Sequence, residues 1–267
     1  MPLTTKLSFP LRQPSRGFPA SRGRRSPNQA LIAAAVLAAL TVIVPAPPQL
    51  EELPRRGVPA INSHTSVMAL GDVDGDGDLD LVVGKAYYSP RQNRLYLNDG
   101  NGNFTDVTAP QMPVDNDETR ALALGDVDGD GDLDLIVANY GQNRLYLNDG
   151  NGNFTDVTAT RMPVDNNDTQ ALALGDVDGD GDLDMVVGNI GQSRLYLNNG
   201  TGTFTDATAT LMPVGRSATR ALALGDVDGD GDLDLVVGNR DQQSRLYLNN
   251  GRGTFTDATA VRMPVMS

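Results

Sequence analysis

The segment GDVDGDGDLD occurs four times, beginning at Gly71, Gly125, Gly175 and Gly225. Each copy places five aspartates at alternate positions within nine residues, and carboxylates spaced in this way can surround a cation with oxygen atoms. Without a cation the five negative charges would repel one another. The segment therefore predicts a loop that binds a hard divalent metal ion.

The order of residues within the loop favours calcium. Counted from Asp72, the loop has carboxylates at positions 1, 3, 5 and 9, a glycine at position 6, and a main-chain carbonyl available at position 7. This is an oxygen cage suited to Ca²⁺, whereas Mg²⁺ retains water and zinc or copper would need nitrogen or sulfur ligands. An EF-hand is excluded because position 12, its obligatory glutamate, is valine in all four copies.

The charge of the chain changes sign along its length. Residues 1–56 contain eight Lys/Arg and two Glu, a net +6, and the remainder contains 13 Lys/Arg and 32 Asp/Glu, a net −19. Such an acidic body excludes nucleic acid as a partner, because phosphates must be neutralised by cations. The absence of cysteine excludes disulfides and thiolate sites. The single histidine, His64, is interpreted as a solvated loop residue and not as a catalytic one.

Residues 1–58 are predicted to be a basic, proline-rich N-terminus with a linker and a signal or anchor segment at residues 30–44. That segment holds 15 uncharged residues. As a helix it would be about 22 Å long, short of the roughly 30 Å hydrocarbon core. A basic flank before an apolar run is typical of a secretory signal, but Pro47 disfavours cleavage after Ala46, so an uncleaved membrane anchor stays open. Both hypotheses predict an extracytoplasmic location for the acidic body.

The acidic loops recur at offsets of 54, 50 and 50 residues. We therefore divide residues 59–267 into four repeats: 59–112, 113–162, 163–212 and 213–263. The second repeat shows four short β-rich segments, 121–124, 133–137, 144–147 and 154–158, joined by Gly- and Asn-rich turns. Beyond the apolar N-terminal run, no helical period is evident. The pattern predicts an all-β fold, a β-propeller of four 4-stranded antiparallel blades.

The segments LALGDVDGDGDLDLVVGN and RLYLNDGNGNFTDVT resemble the FG-GAP/VCBS repeat family, which forms blades of integrin α-subunit propellers and occurs in many secreted bacterial proteins. The second half of each repeat is also similar to cartilage acidic protein relatives. The resemblance covers about residues 58–263 and implies one Ca²⁺ per repeat, four in total. It implies side-chain ligands at positions 1, 3, 5 and 9 and a main-chain ligand at position 7. These residues are Asp72, Asp74, Asp76, Asp78 and Asp80; Asp126, Asp128, Asp130, Asp132 and Asp134; Asp176, Asp178, Asp180, Asp182 and Asp184; and Asp226, Asp228, Asp230, Asp232 and Asp234.

The number of repeats departs from the resemblance, because integrin propellers have seven blades. A closed ring of four is the expectation here, and an open arc or a ring completed by another chain stays open. Exposed end edges would then need covering. The repeated tyrosines and phenylalanines are predicted to pack between blades. They are Tyr96, Tyr146, Tyr196 and Tyr247, and Phe104, Phe154, Phe204 and Phe255.

We expect an extracytoplasmic calcium-binding scaffold for binding or adhesion, with an extracellular protein or polysaccharide as ligand and self-association open. Ligand contacts are expected where the repeats differ, at residues 85–92, 115–120 and 240–243; Tyr87 and Tyr88 are candidates, although loop filler is the simpler interpretation. No catalytic residue is predicted, since an active site normally breaks repeat symmetry. The alternatives are a calcium-dependent enzyme acting on glycans, a calcium buffer, and a non-catalytic fragment of a larger propeller.

Overall fold

The acidic repeats fold into four-stranded units in a computed structural model that describes residues 64–86 and 91–264. The predicted signal or anchor segment, its linker, and the pair Tyr87 and Tyr88 lie outside the described residues. Within the described ranges, no helix is long and apolar enough to cross a membrane. All of these residues belong to one compact unit, Thr41–Ser267.

We call the four units blades 1 to 4. Blade 1 contains β1 (Thr65–Gly71), β2 (Asp80–Lys85), β3 (Arg94–Asn98) and β4 (Phe104–Asp106); blade 2 contains β5 (Glu118–Gly125), β6 (Asp134–Tyr140), β7 (Arg144–Asn148) and β8 (Phe154–Asp156). Blade 3 contains β9 (Thr169–Gly175), β10 (Asp184–Gly191), β11 (Arg194–Asn198) and β12 (Phe204–Asp206); blade 4 contains β13 (Ser217–Gly225), β14 (Asp234–Arg240), β15 (Arg245–Leu248) and β16 (Thr256–Asp257). A one-turn helix follows each blade: α1 (Thr108–Gln111), α2 (Thr158–Arg161), α3 (Thr208–Leu211) and α4 (Thr259–Arg262).

The strands of each blade pair antiparallel in sequence order, so the acidic loop is the tip of the first hairpin. In blade 1, Gly71 lies opposite Asp80 and Leu70 lies opposite Leu81. The same register recurs in the other three blades. Position 9 of every loop is therefore the first residue of the second strand, and the hairpin fixes where its carboxylate lies.

In blades 2 and 3 the second strand is apolar on both faces because a neighbouring blade packs on each face. In blade 2, Leu135, Ile136 and Val137 are fully buried. Leu135 and Val137 belong to the core shared with blade 1, and Ile136 belongs to the core shared with blade 3. Alternate residues of one strand thus serve two neighbouring interfaces.

Three hydrophobic cores lie between successive blades, and each contains a tyrosine and a phenylalanine from the later blade. The pairs are Tyr146 with Phe154, Tyr196 with Phe204, and Tyr247 with Phe255. The predicted packing of these aromatic residues between blades is confirmed for these three pairs. Tyr96 and Phe104 form a smaller cluster that contains described residues of blade 1 alone.

The one-turn helices were not expected from the sequence. The predicted fourth strand of blade 2, residues 154–158, ends at Asp156, and α2 begins at Thr158. Asp156 Oδ1 accepts a hydrogen bond from the Thr158 backbone N–H at 2.9 Å, and Thr158 Oγ1 accepts one from the Leu145 N–H at 3.0 Å. A single turn held by such local side-chain hydrogen bonds is too short to show a helical period.

The first strands of the four blades pack in series, β1 on β5, β5 on β9 and β9 on β13. In addition, β10 pairs with β13, so blades 3 and 4 share an eight-stranded sheet. Among the described strands, no comparable packing joins blade 4 to blade 1. The all-β class and the four-stranded antiparallel units are confirmed. Closure into a ring of four stays a prediction.

Candidate metal centre

Each acidic loop brings three carboxylates together. In blades 1 to 3 these are positions 1, 3 and 9, with one oxygen of each residue lying within 4.8 Å of the others. In blade 4 the cluster consists of positions 1, 3 and 5. The clusters are Asp72, Asp74 and Asp80; Asp126, Asp128 and Asp134; Asp176, Asp178 and Asp184; and Asp226, Asp228 and Asp230.

The aspartate at position 1 shapes the loop by accepting backbone hydrogen bonds. In blade 1, Asp72 Oδ1 accepts from the Gly75 N–H at 2.9 Å and Oδ2 accepts from the Gly77 N–H at 3.0 Å. Gly77, at position 6, has φ +94°, a backbone conformation that side chains with a Cβ rarely adopt. The same two bonds recur in blades 2, 3 and 4. The loop therefore curls around its first carboxylate, which leaves the remaining lone pairs of both oxygens for a cation.

The aspartate at position 9 is fully buried in every blade. Asp134 Oδ2 accepts from the Val127 N–H at 3.0 Å, and Oδ1 accepts from the Asn148 N–H at 2.9 Å. Burial, with a smaller contribution from the nearby loop carboxylates, nevertheless raises the pKa of Asp134 and that of Asp184 to about 7, against the lowering effect of the backbone hydrogen bonds. A buried carboxylate flanked by other acids favours its ionised form only when a cation is close.

In blade 2 the aspartate at position 3, Asp128, also has few protein partners. Burial, followed by the negative charge of neighbouring loop acids, raises the pKa of Asp128. Its Oδ1 is buried and finds no hydrogen-bond donor among the described residues. Arg161 Nη1 lies 3.5 Å from its other oxygen, so the chain compensates this loop in part. Arg262 stands in the same relation to Asp228 at 3.6 Å, whereas blades 1 and 3 have Gln111 and Leu211 at the equivalent position.

Positions 5 and 7 lie outside the three-carboxylate clusters of blades 1 to 3. At position 5, Asp180 Oδ1 accepts a hydrogen bond from the Asp182 N–H at 3.0 Å. The side chain of Asp182, at position 7, lies against the turn between the third and fourth strands, where a Cβ added to Gly200 would be 2.6 Å from Asp182 Oδ2. A side chain placed there is compatible with the main-chain ligand role implied for position 7.

The donor set fits a hard divalent cation. It consists of oxygen atoms, it carries several negative charges, and one buried oxygen in blade 2 has no described partner. These properties suit calcium, whose ligands are six to eight oxygens, better than they suit zinc or copper. The four clusters differ in enclosure: two members are half-buried and one is buried in blades 1 to 3, whereas all three members are exposed in blade 4.

The next blade encloses the loop of the preceding one. The side-chain amide of Asn148 in blade 2 donates to Val73 O in the loop of blade 1 at 2.8 Å, and Val73 is 1% exposed. Equivalent bonds join Asn198 to Val127 O and Asn249 to Val177 O, both at 2.7 Å. The sequence analysis missed these asparagines, although the invariant Asn after each RLYL segment marked them.

Two other positions were considered in the sequence analysis, Asp115 and His64. Asp115, in a segment where the repeats differ, is buried and accepts a hydrogen bond from Tyr146 Oη at 3.1 Å. This residue supports the fold and does not present itself to a ligand. His64 is exposed just before β1.

Comparison with known proteins identifies the repeat. The FG-GAP-like repeat family matches four overlapping segments of the chain, 72–137, 126–187, 176–237 and 226–266. No curated protein matches the chain. Because each matched segment begins at the first aspartate of an acidic loop, the match contains every predicted ligand.

Among solved structures, the chain is similar to a lectin from Agrocybe aegerita, described as recognising non-reducing terminal N-acetylglucosamine, with 23% identity, TM-score 0.49 and coverage of 70% of this chain and 49% of the lectin. It is also similar to the Tc holotoxin pore of Photorhabdus luminescens, with 25% identity, TM-score 0.40 and coverage of 74% of this chain and 9% of the toxin chain. A third similar structure is BBS1N in complex with ARL6DN, with 18% identity, TM-score 0.46 and coverage of 76% of this chain and 58% of the other. The chain thus spans about half the length of the lectin. At these levels of similarity none of the three informs what this chain binds.

Proposed function

This chain belongs to the FG-GAP-like repeat family, and from that premise we propose that it is an extracytoplasmic scaffold for binding or adhesion whose blades are stabilised by calcium. The predicted family is confirmed by the match. The identity of the ion, the location and the binding role are the proposal. Its main support is the fourfold recurrence of converging carboxylates at the tip of the first hairpin.

Calcium supplies a double positive charge that offsets the repulsion within each loop. The residues of the chain do the rest. In blade 3, Asp176 at position 1 accepts two backbone hydrogen bonds that curl the loop. Asp184, at position 9 and the start of the second strand, accepts one from the Val177 N–H in the loop and one from the Asn198 N–H at the end of the third strand. The bound loop then presents its valine carbonyl to the asparagine of the next blade. The loop proposed to bind the metal therefore also contacts the next blade.

The expected stabilisation is large for a chain of this size. Extracellular calcium is near millimolar, and extracellular modules bind it with Kd of about 10⁻⁴–10⁻³ M. At a free concentration ten times Kd, each site contributes about 1.4 kcal/mol, and four sites contribute about 6 kcal/mol. This is comparable with the roughly 5–15 kcal/mol that separates folded from unfolded domains.

The test is calcium titration by calorimetry together with thermal unfolding in calcium and in EDTA. We expect about four ions per chain and an unfolding midpoint that falls by ~10 °C or more in EDTA. Asp178→Asn should remove one ion from the stoichiometry. Asp241→Asn is the matched control, because Asp241 lies outside the loops with an 84% exposed side chain. No uptake at millimolar calcium, or equal midpoints with and without EDTA, would contradict the proposal.

We propose a binding role without catalysis. The ligand is proposed to be an extracellular protein or polysaccharide. Candidate contact positions include the repeat-specific turn at residues 240–243, where Arg240 and Asp241 are exposed and form a 3.1 Å ion pair. They also include the highly exposed valine that follows each of blades 1 to 3, Val114, Val164 and Val214. Pull-down of surface polysaccharide and matrix proteins should depend on calcium. Release of shortened glycan by the purified chain would instead support the enzyme alternative.

A further inference from the structure

Blades 1 and 4 each have a face that no described blade covers. On blade 1 the rim of this leading face contains Met68, Leu70 and Leu79, which are 61%, 53% and 56% exposed, whereas Leu81, Val83 and Tyr96 on the same face are buried. The equivalent three leucines of blades 2, 3 and 4 are partly buried, and each set packs into the core that its blade shares with the preceding blade. The leading face is therefore the half of an inter-blade interface that normally receives a preceding blade.

The trailing face of blade 4 is the complementary half. Val227 in its loop is 51% exposed, whereas its equivalents in blades 1 to 3 are 1% exposed. The glycine before each loop shows the same difference. A Cβ added to Gly71 would lie 2.8 Å from the side chains of Leu124 and Leu133 in the next blade, but one added to Gly225 meets nothing within 4 Å.

The inter-blade hydrogen bond is also divided between the two ends. Each internal interface has an asparagine that donates to the loop valine carbonyl of the preceding blade. In blade 1 the side-chain amide of the equivalent Asn98 donates, among the described residues, only to Leu79 O of its own blade, at 3.1 Å. At the other end, no described asparagine donates to Val227 O. One face holds a spare donor, and the other holds the matching acceptor.

We propose that two copies of this chain dock head to tail, the trailing face of each covering the leading face of the other, to complete a ring of eight blades. Every copy carries both halves of an interface that the structure shows three times with the same residue types. A head-to-tail contact between unlike faces gives a closed ring when the rotations from copy to copy add up to a full turn. Two copies form two such contacts. Eight blades lie within the usual range of propellers.

A second copy is a better occupant than blade 1 of the same chain. The first strands pack in series from β1 to β13, and the series does not return to β1 within the described residues. The argument uses only apolar contacts and hydrogen bonds between blades. It therefore goes beyond the proposed calcium role and does not depend on it.

A disulfide tests the contact directly, because the chain has no cysteine. The Cβ position of Gly71 is 3.9 Å from that of Leu124 across the internal interface, within the roughly 3.5–4.5 Å that a disulfide spans. The equivalent pair between copies is Gly225 with Leu70. The test variant is Gly225→Cys with Leu70→Cys, and the matched control is Gly71→Cys with Leu124→Cys.

After mild oxidation, denaturing non-reducing gels of the test variant should show a two-chain species, whereas the control should remain a single chain with no free thiol. Three results would overturn the proposal. A single-chain internal disulfide in the test variant means that four blades close alone, a ladder of larger species means an open polymer, and free thiols beside a bridged control mean that the faces do not meet.

The unmodified full chain provides a second measurement that does not require any variant to fold. Light scattering in non-ionic detergent should give the mass of two chains after subtraction of the detergent, and a one-chain mass would contradict the ring. Both experiments are run in calcium and in EDTA. A chain that takes up no calcium can still form the crosslink, so failure of the calcium role is distinguishable from failure of the ring.

Discussion

Replacing Tyr196 by Phe tests how the buried polar network supports blade 3. Tyr196 is 1% exposed, and its hydroxyl donates to Asp165 Oδ2 at 2.6 Å. Asp165 is itself 3% exposed and also accepts from the Asn167 N–H at 3.0 Å, with Arg194 Nε at 3.8 Å. The substitution removes one charge-assisted hydrogen bond but leaves the carboxylate with other donors.

The expected cost follows from these contacts. A hydrogen bond to a charged group contributes about 1.5–3 kcal/mol, and the remaining donors to Asp165 place this one near 2 kcal/mol. For a domain of about 200 residues, such a loss lowers the unfolding midpoint by ~4–8 °C. Thermal unfolding followed by circular dichroism in saturating calcium measures it.

Blade 4 provides the matched control. Tyr247 is equivalent to Tyr196, but Gly215 occupies the place of Asp165, so the tyrosine hydroxyl has no carboxylate there. Tyr247→Phe should therefore cost less than about 0.5 kcal/mol. In an Asp165→Gly background, Tyr196→Phe should become equally inexpensive, which a double-mutant cycle would register as coupling. Equal midpoint shifts for the two tyrosine variants would refute the reasoning.

Two further predictions concern the metal loops and the blade interfaces. In EDTA, the free energy of unfolding should fall as pH rises from about 4 to about 7, because burial raises the pKa of Asp134 and Asp184 to about 7 and the folded chain then prefers their protonated forms. In calcium this fall should disappear. A pH-independent unfolding midpoint in EDTA would contradict the assignment. Asn148→Ala should cost about 2–3 kcal/mol by chemical denaturation, because it removes one buried and one partly buried hydrogen bond and leaves Val73 O without the asparagine. Asn151→Ala, in an exposed turn, is its control, and similar losses for both would exclude a special role for the inter-blade bond.

The sequence predicted the repeat unit and the candidate ligands because both depend on local order. Alternation of polar and apolar residues, turn glycines and carboxylates at every second position are all contained within one repeat. The short helices were missed because a single helical turn has no periodicity. Tyr87 and Tyr88 stay untested as ligand contacts, and so do the repeat boundaries.

The selection of three clustered carboxylates from each loop required the tertiary structure. Five aspartates with equal spacing in the sequence become unequal once the hairpin forms: position 9 is buried in the second strand, while the side chain of position 7 turns towards the glycine of a distant turn. Blade 4 differs from the others although its loop has the same ten residues, because no following blade covers it. How far an acidic loop is enclosed depends on the blades packed beside it, and the sequence of one repeat does not specify them.

The sequence by itself thus determined that this chain builds four acidic hairpins able to surround a cation, because residue type and spacing fix which atoms can converge within a short loop. Only the tertiary structure decided which faces meet. Identical repeats carry identical faces, and whether a given face is covered depends on the order and number of blades packed beside it. The leading face of blade 1 and the trailing face of blade 4 became visible as unpaired halves only once the three internal interfaces had formed.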